Sequence, residues 1–174
     1  MAPSDIQPTG TERNFNVDEI IVSKTDATGK LTYANELFLE LASYDEDEVI
    51  GVQHNLVRHP DMPRAVFKLL WDTIQSGEEI FAYVVNMSKN GDHYWVFAHV
   101  TPSFDAQGNI TGYHSNRRVP EAGPLAKVKD LYKSLLAEEK RHASPKDGMD
   151  ASTKMLTDLL EENGVTYDEF IFSL

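Results

Sequence analysis

The sequence IFAYVVNMSKNGDHYWVFAHVTPS, at residues 80–103, decides the fold of this chain. Two runs rich in β-branched and aromatic residues flank Asn90-Gly91. An Asn-Gly pair between two such runs is among the strongest short-range signals of a β-hairpin. Residues 104–109 supply another turn, and residues 110–119 predict a third strand. The sequence therefore predicts three consecutive antiparallel strands in this part of the chain.

The residues before this hairpin predict two further strands and three helices. Asn35 stands at a helix N-cap position, and a polar stretch at 52–63, with two prolines, predicts an irregular loop. After the loop, apolar residues recur at helical spacing until Gly77. The predicted strands lie at 20–25 and 31–34, and the helices follow Asn35, Asp45 and Pro63. The expected element order is therefore β-β-α-α-α-β-β-β.

The two ends of the chain differ in character. Residues 1–17 predict a polar tail, and residues 18–120 hold the predicted sheet domain. Residues 121–174 predict a C-terminal helical extension, in which Leu125, Val128, Leu131 and Leu135 share one helix face. Two uses of this apolar face are open: it pairs with a second copy of the chain in a homodimer, or it packs back on the sheet or on a neighbouring helix.

The composition restricts the class of protein. The 174 residues include 41% hydrophobic residues, enough for a core, and a net charge of −12 argues against binding to nucleic acid or to anionic membranes. The absence of cysteine excludes disulfides and thiolate chemistry. Neither a signal peptide nor a membrane-spanning run is present, so we expect a cytoplasmic protein without membrane insertion. Recognisable catalytic motifs are also missing, which predicts a protein that is not an enzyme.

Three local motifs carry a resemblance to a known family. They are Tyr33-Ala34-Asn35, the sequence HNLVRHPDMP at 54–63, and KNGDHYWV at 89–96. Together with the element order, they resemble the PAS domain of bacterial aerotaxis and energy-taxis receptors of the Aer type, over about residues 18–118. The resemblance implies an α+β PAS fold, in which a five-stranded antiparallel sheet carries short helices on one face, followed here by the C-terminal helical extension.

The resemblance also implies a function. Such domains hold FAD non-covalently between the helices and the inner sheet face, and they report redox or energy state. Because the sequence contains nothing that resembles a receptor's membrane anchor or methyl-accepting coiled coil, we expect signalling through a chemotaxis-type receptor or signalling protein. Matching of motif positions predicts six cofactor-binding residues: Asn35, Arg58, His59, Asp61, Trp71 and Asn86.

The residues themselves leave alternatives open at these positions. One alternative is that Asn35 serves as an N-cap and has no contact with a cofactor. Another is that Arg58, His59 and Asp61 satisfy one another's hydrogen bonds within the loop, instead of donating to a pyrophosphate or a flavin carbonyl. Asn86 lies in an apolar strand, where a buried amide needs a partner, but strand alternation does not say whether it faces inward.

Rival functions follow from other residues. A haem-binding PAS gas sensor would need an axial ligand such as His114, and a cofactor-free PAS protein would serve only as a dimerisation or adaptor module. Metal binding by His54, His59 and Asp61 is disfavoured because their spacing is not that of a metal-ligating helix face. Arg117 and Arg118 predict a solvated basic pair, with contact to an anion or a partner as the alternative.

Overall fold

A computed structural model describes residues 6–174, so residues 1–5 of the predicted tail lie outside the described residues. It confirms the predicted α+β architecture, with a five-stranded antiparallel sheet in the order β2-β1-β5-β4-β3. The strands are β1 (Ile21–Asp26), β2 (Leu31–Ala34), β3 (Ile80–Met87), β4 (His93–Phe104) and β5 (Ile110–Arg118). The helices are α1 (Glu36–Ala42), α2 (Glu46–Val49), α3 (Arg64–Gln75), α4 (Ala122–Lys140), α5 (Pro145–Asn163) and α6 (Tyr167–Ser173).

The predicted hairpin pairs in register from Ile80 opposite Val100 to Met87 opposite His93. Gly91 in its turn has a φ of +92°, a conformation that suits glycine. The N-terminal tail lies against this turn, since a β-carbon at position 91 would stand 2.2 Å from the carbonyl oxygen of Gln7. Arg13 fixes the tail further through an ion pair of 3.0 Å with Asp92.

The inner face of the sheet is covered by α1, α2 and α3. At the β1-β2 end this layer is closely packed around the fully buried Phe38, Leu31 and Val49. The loop at 52–63, predicted to be irregular, contains a 3₁₀ turn at His54–Val57. This turn carries Leu56 and Val57 into the same core.

The outer face near the edge strand β3 is covered by the C-terminal extension. Val128, Tyr132 and Leu135 of α4 are buried in one cluster with Tyr83 of β3 and Leu156 of α5. The Tyr132 hydroxyl donates a hydrogen bond of 2.5 Å to the main-chain carbonyl of Tyr83. The apolar face of α4 therefore packs back within the chain, which is the second of the two uses expected for it.

A buried carboxylate joins the extension to the sheet domain. Glu139 of α4 is 7% exposed, and its Oε1 accepts hydrogen bonds from the Ala65 amide at 3.2 Å and from the Ser152 hydroxyl at 3.0 Å. Helix α3 begins with Pro63 at the N-cap, where no side chain caps it. Glu139 therefore supplies the acceptor that the first turn of α3 needs. Gly148 of α5 allows the close approach, because a β-carbon there would lie 2.5 Å from the Glu139 carbonyl oxygen.

Candidate functional site

A narrow cavity lies between α3 and the inner face of β3, β4 and β5. About 720 Å³ is free of atoms, including the open mouth, and the centre of a water molecule can reach about 80 Å³ of it. Most of the wall is apolar, with Met62, Leu70 and Ile74 on one side and Val84 and Val100 on the sheet. The aromatic side chains on the wall are Phe67, Trp71 and Tyr113.

Four buried polar atoms at this wall have no hydrogen-bond partner among residues 6–174. They are Thr25 Oγ1, Arg58 Nε, Asn86 Nδ2 and Arg117 Nη1. Buried polar groups are normally paired, because an unpaired one costs roughly 1–3 kcal/mol. Three of the four atoms can only donate, so the unpaired polar groups at the wall are mostly donors.

Arg117 is a buried charged residue at the cavity wall. It is 2% exposed, and burial lowers the pKa of its guanidinium to about 10, so it stays charged at neutral pH. Its Nε donates to Ser115 Oγ at 3.0 Å, and its Nη2 donates to Ser23 Oγ and to His54 Nε2. No carboxylate is among its partners in the part of the chain that the structure describes. The expectation of a solvated pair is therefore wrong for Arg117, whereas Arg118, on the opposite sheet face, is exposed.

His54 lies beside Arg117 at the cavity wall. Burial, followed by the charge of Arg117, lowers the pKa of its imidazole to about 3. The ring is therefore neutral at physiological pH, and its Nε2 lies 3.1 Å from Arg117 Nη2 and 2.9 Å from Ser23 Oγ. A neutral imidazole that accepts from a guanidinium cannot neutralise the buried cation.

The cavity brings together three of the six predicted cofactor-binding residues: Arg58, Trp71 and Asn86. Arg58 and Asn86 face each other in an isolated antiparallel bridge between the loop and β3. Arg58 Nη2 donates to the Met62 carbonyl at 2.7 Å, which leaves its Nε free. Asn86 is 4% exposed and lies on the wall, so it faces inward.

The other three predicted residues lie outside the cavity wall. Asn35 caps α1: its Oδ1 accepts from the amides of Phe38 and Val22, and its Nδ2 donates to the Ile20 carbonyl. Asn35 therefore has a complete set of local partners.

His59 and Asp61 form a small local arrangement in the loop. His59 is buried with its ring 5.7 Å from that of His93, and its Nδ1 accepts from the Asp61 amide at 3.0 Å. Burial lowers the pKa of His59, and the nearby Asp61 opposes that shift. The Asp61 side chain is 66% exposed and lies 3.8 Å from His59 Nδ1. Both residues contribute to the shape of the loop that carries Arg58.

The aromatic wall gives the cavity a flat side. The Trp71 ring meets the Tyr113 ring edge to face, with centroids 5.6 Å apart and planes at 88°. Arg58 Cζ lies 5.3 Å from the centre of the Phe67 ring, where the guanidinium is held by a cation–π contact. An apolar and aromatic wall with a few unpaired donors, here those of Asn86 and Arg117, is typical of a site for a small organic ligand with acceptor atoms.

The rival ligands find less support in this arrangement. His114, the expected axial ligand for haem, does not line the cavity. Across residues 6–174, no three His, Asp or Glu side chains come close enough together to hold a metal ion.

Two residues that line the cavity, Arg117 and His54, were not among the six cofactor-binding residues predicted from the sequence. Both side chains converge on Ser23 of β1, at the floor of the cavity. The sequence signal that could have identified Arg117 is strand alternation. Arg117 lies on the same face of β5 as Tyr113 and Ser115, and the residues between them are half-buried. That signal becomes informative only once one face of β5 is known to be buried.

Comparison with known proteins gives the family and its relatives. The family described as PAS fold matches residues 31–117. The chain is 42% identical to the aerotaxis receptor of Escherichia coli (strain K12) over 132 residues, which are 75% of this chain and 26% of the receptor. It is 25% identical to phototropin-1A of Oryza sativa subsp. japonica over 99 residues, 57% of this chain and 10% of that protein. The chain therefore spans about a quarter of the aerotaxis receptor's length.

A solved structure shares the fold. The dark structure of the blue-light photoreceptor Aureochrome1 LOV superposes with a TM-score of 0.53 at 26% identity, covering 69% of this chain and 84% of that chain. None of the helices in residues 6–174 has both the length and the apolar character to cross a bilayer. The resemblance to the PAS domain of aerotaxis receptors is thus confirmed, and the chain belongs to the PAS family.

Proposed function

We propose that this PAS sensory domain binds FAD non-covalently in the inner-face cavity and reports the redox or energy state to a chemotaxis-type signalling partner. The observation that carries the proposal is the buried Arg117 guanidinium, which faces the cavity without a counter-ion. An uncompensated buried cation is costly, and a ligand with electron-rich acceptors removes that cost. The 42% identity to an aerotaxis receptor supports the same function.

The residues present fit a flavin ring. Arg58, Asn86 and Arg117 offer donors for ring carbonyls and nitrogens, and Trp71 offers a flat apolar surface. When bound, a flavin supplies reversible redox chemistry that changes the hydrogen-bonding character of its ring edge. Among the six residues predicted from the motifs, we place Arg58, Trp71 and Asn86 against the cofactor, and we assign Asn35, His59 and Asp61 to supporting the frame around it.

Asn86 is the residue through which this change reaches the protein. Its side-chain amide can present either a carbonyl oxygen or an NH₂ group to the ring edge, so it can pair with an acceptor or with a donor. Any reorientation of this amide acts on the edge strand β3, whose Tyr83 carbonyl is held by Tyr132 of α4. The proposed signal therefore passes from the cavity through β3 to the C-terminal helices, by the difference in contacts between two states.

The division into a tail (1–17), a sensor domain (18–120) and a helical extension (121–174) is part of this proposal. In it the sensor domain detects, the extension transmits, and neither performs catalysis. The partner is a protein of the chemotaxis type, recognised by a surface that includes the extension.

The visible absorption spectrum of the protein, freshly purified and after incubation with FAD, tests the proposed ligand. We expect the paired absorption bands of a flavin. A Soret band would instead support the haem sensor, and a featureless spectrum with no FAD uptake would support the cofactor-free adaptor. Asn86→Ala tests the signalling role: with FAD retained, the reduction potential or the partner's response should change, and an unchanged value of both would remove Asn86 from the mechanism.

A further inference from the structure

A second cleft lies next to the cavity, between the loop at 52–63, the start of α3 and the corner between α4 and α5. The centre of a water molecule can reach about 690 Å³ of it, far more than in the cavity. Arg58 lines both spaces and so forms the wall between them. The cleft exists only because the C-terminal extension folds back, since Lys140, His142 and Ser144 form its far side.

Positive charge is concentrated in this cleft. Arg58, Arg64 and Lys140 all line it, in a protein whose net charge is −12. Lys140 is exposed and makes no ion pair among residues 6–174. Glu139 also lines the cleft, but its Oε1 is occupied by the Ala65 amide and the Ser152 hydroxyl.

Two of these cations, Arg58 and Arg64, are close to each other. Burial lowers the pKa of Arg58, and the charge of Arg64 lowers it further, while Glu139 opposes the shift. Arg64 itself lies 4.0 Å from Glu139 Oε2, at the limit of an ion pair. Glu139 is the one carboxylate among the described residues that line the cleft, against three cations. Guanidinium and ammonium groups in excess over carboxylates form a suitable site for phosphate oxygens.

We propose that the cleft binds the phosphate-bearing half of a flavin dinucleotide whose ring occupies the cavity. This inference rests on the proposed function and adds to it that the helical extension contacts the cofactor directly through Lys140. Arg58, shared by the two spaces, lies where the ring half and the phosphate half would join. The cleft therefore favours FAD over riboflavin.

The test compares the dissociation constants of FAD and riboflavin for cofactor-free protein, measured by flavin fluorescence. Lys140→Gln removes a cleft cation. Lys133→Gln is the matched control, because Lys133 is exposed on the same helix and borders only the neighbouring depression, whereas Lys140 borders both that depression and the cleft. We expect Lys140→Gln to weaken FAD binding about fivefold, as for an exposed ion pair, and to leave riboflavin binding unchanged. Lys133→Gln should change neither constant. Added salt should weaken FAD binding more than riboflavin binding.

The possible results separate this inference from the proposed function. Equal affinity for FAD and riboflavin, or equal effects of Lys140→Gln and Lys133→Gln on FAD, would overturn the inference while leaving a flavin in the cavity. Failure of any flavin to bind would overturn the proposed function and the inference together. Displacement of FAD, but not of riboflavin, by ADP would support the cleft as the phosphate site.

Discussion

The two faces of the sheet differ in how their buried polar groups find hydrogen-bond partners. On the outer face, α4 covers β3 with Val128, Tyr132 and Leu135, and the Tyr132 hydroxyl finds its acceptor within the chain. On the inner face, at the cavity, Arg117 and Asn86 are buried with donors that no residue in the described part of the chain satisfies. The buried hydroxyl at the outer contact thus has a hydrogen-bond acceptor in the chain itself, whereas the inner face keeps buried donors to which a ligand can supply acceptors.

The edge strand β3 belongs to both faces. Asn86 faces the cavity, while Tyr83 packs against the extension. Alternation along a strand places these two environments within a few residues of each other. A change at the cavity therefore has a short path to the helices, and substitutions on the two faces should have separable effects.

The largest expected effect is on the outer face. Tyr132→Ala removes a fully buried ring and should lower the free energy of unfolding by about 3–5 kcal/mol. Tyr132→Phe keeps the ring and loses only the hydrogen bond to Tyr83, so the loss should be about 1 kcal/mol. Denaturant unfolding of cofactor-free protein measures both. An unchanged free energy of unfolding in Tyr132→Ala would show that the extension is not part of the folded unit.

The outer face also shows which features could be predicted from the sequence and which could not. The Asn90-Gly91 hairpin was predictable because its signal is local to the turn. The apolar face of α4 was recognised as well, but amphipathicity alone could not say whether Leu135 meets this chain or a second copy. Only the tertiary arrangement shows that β3 is the surface it covers.

The inner face was harder to predict than the fold. The motif containing Arg58 predicted a cofactor contact for this loop, and in the structure Arg58 lines the cavity, with its Nη2 bonded to the Met62 carbonyl and no partner for its Nε among residues 6–174. Arg117 could not be identified, because strand alternation defines two faces without saying which is buried. Contacts with distant parts of the chain decide which face of the strand is buried, and no local sequence pattern reveals those contacts.

The next effect in size concerns Arg58. Arg58→Ala removes a charged donor at the cavity and should weaken FAD binding by about 1.5–3 kcal/mol, tenfold or more, while the free energy of unfolding falls by only about 1 kcal/mol. The ratio of flavin to protein absorbance after gel filtration reports retention.

His59→Ala is the comparison for Arg58→Ala in the same loop. Because His59 is buried against His93 and does not line the cavity, its removal should lower the thermal midpoint more than it lowers flavin retention. Full retention in Arg58→Ala would exclude Arg58 from the site. A fall in thermal midpoint as large as that of His59→Ala would show that Arg58 is structural.

A smaller effect depends on pH. The pKa of His54 falls from 6.5 to about 3 on folding, so between these values the unfolded chain binds more protons than the folded protein. The contribution of His54 to the free energy of unfolding is fully present above pH 6.5. It decreases as the pH falls, and the loss reaches about 2 kcal/mol by pH 5. His54→Gln should flatten this part of the curve of unfolding free energy against pH. A His54→Gln curve parallel to that of the wild type would refute the assignment.

The most direct test of the account uses two adjacent arginines on opposite faces of β5. Arg117→Met and Arg118→Met change the net charge equally, but only Arg117 lines the cavity. Measurement of the FAD dissociation constant should show a rise of tenfold or more for Arg117→Met, from the loss of about 1.5–3 kcal/mol, and little change for Arg118→Met. The free energy of unfolding of the cofactor-free Arg117→Met variant should not fall, because an unpaired buried cation has been replaced by an apolar side chain. FAD binding by Arg117→Met with wild-type affinity would contradict the claim that the buried guanidinium defines the site.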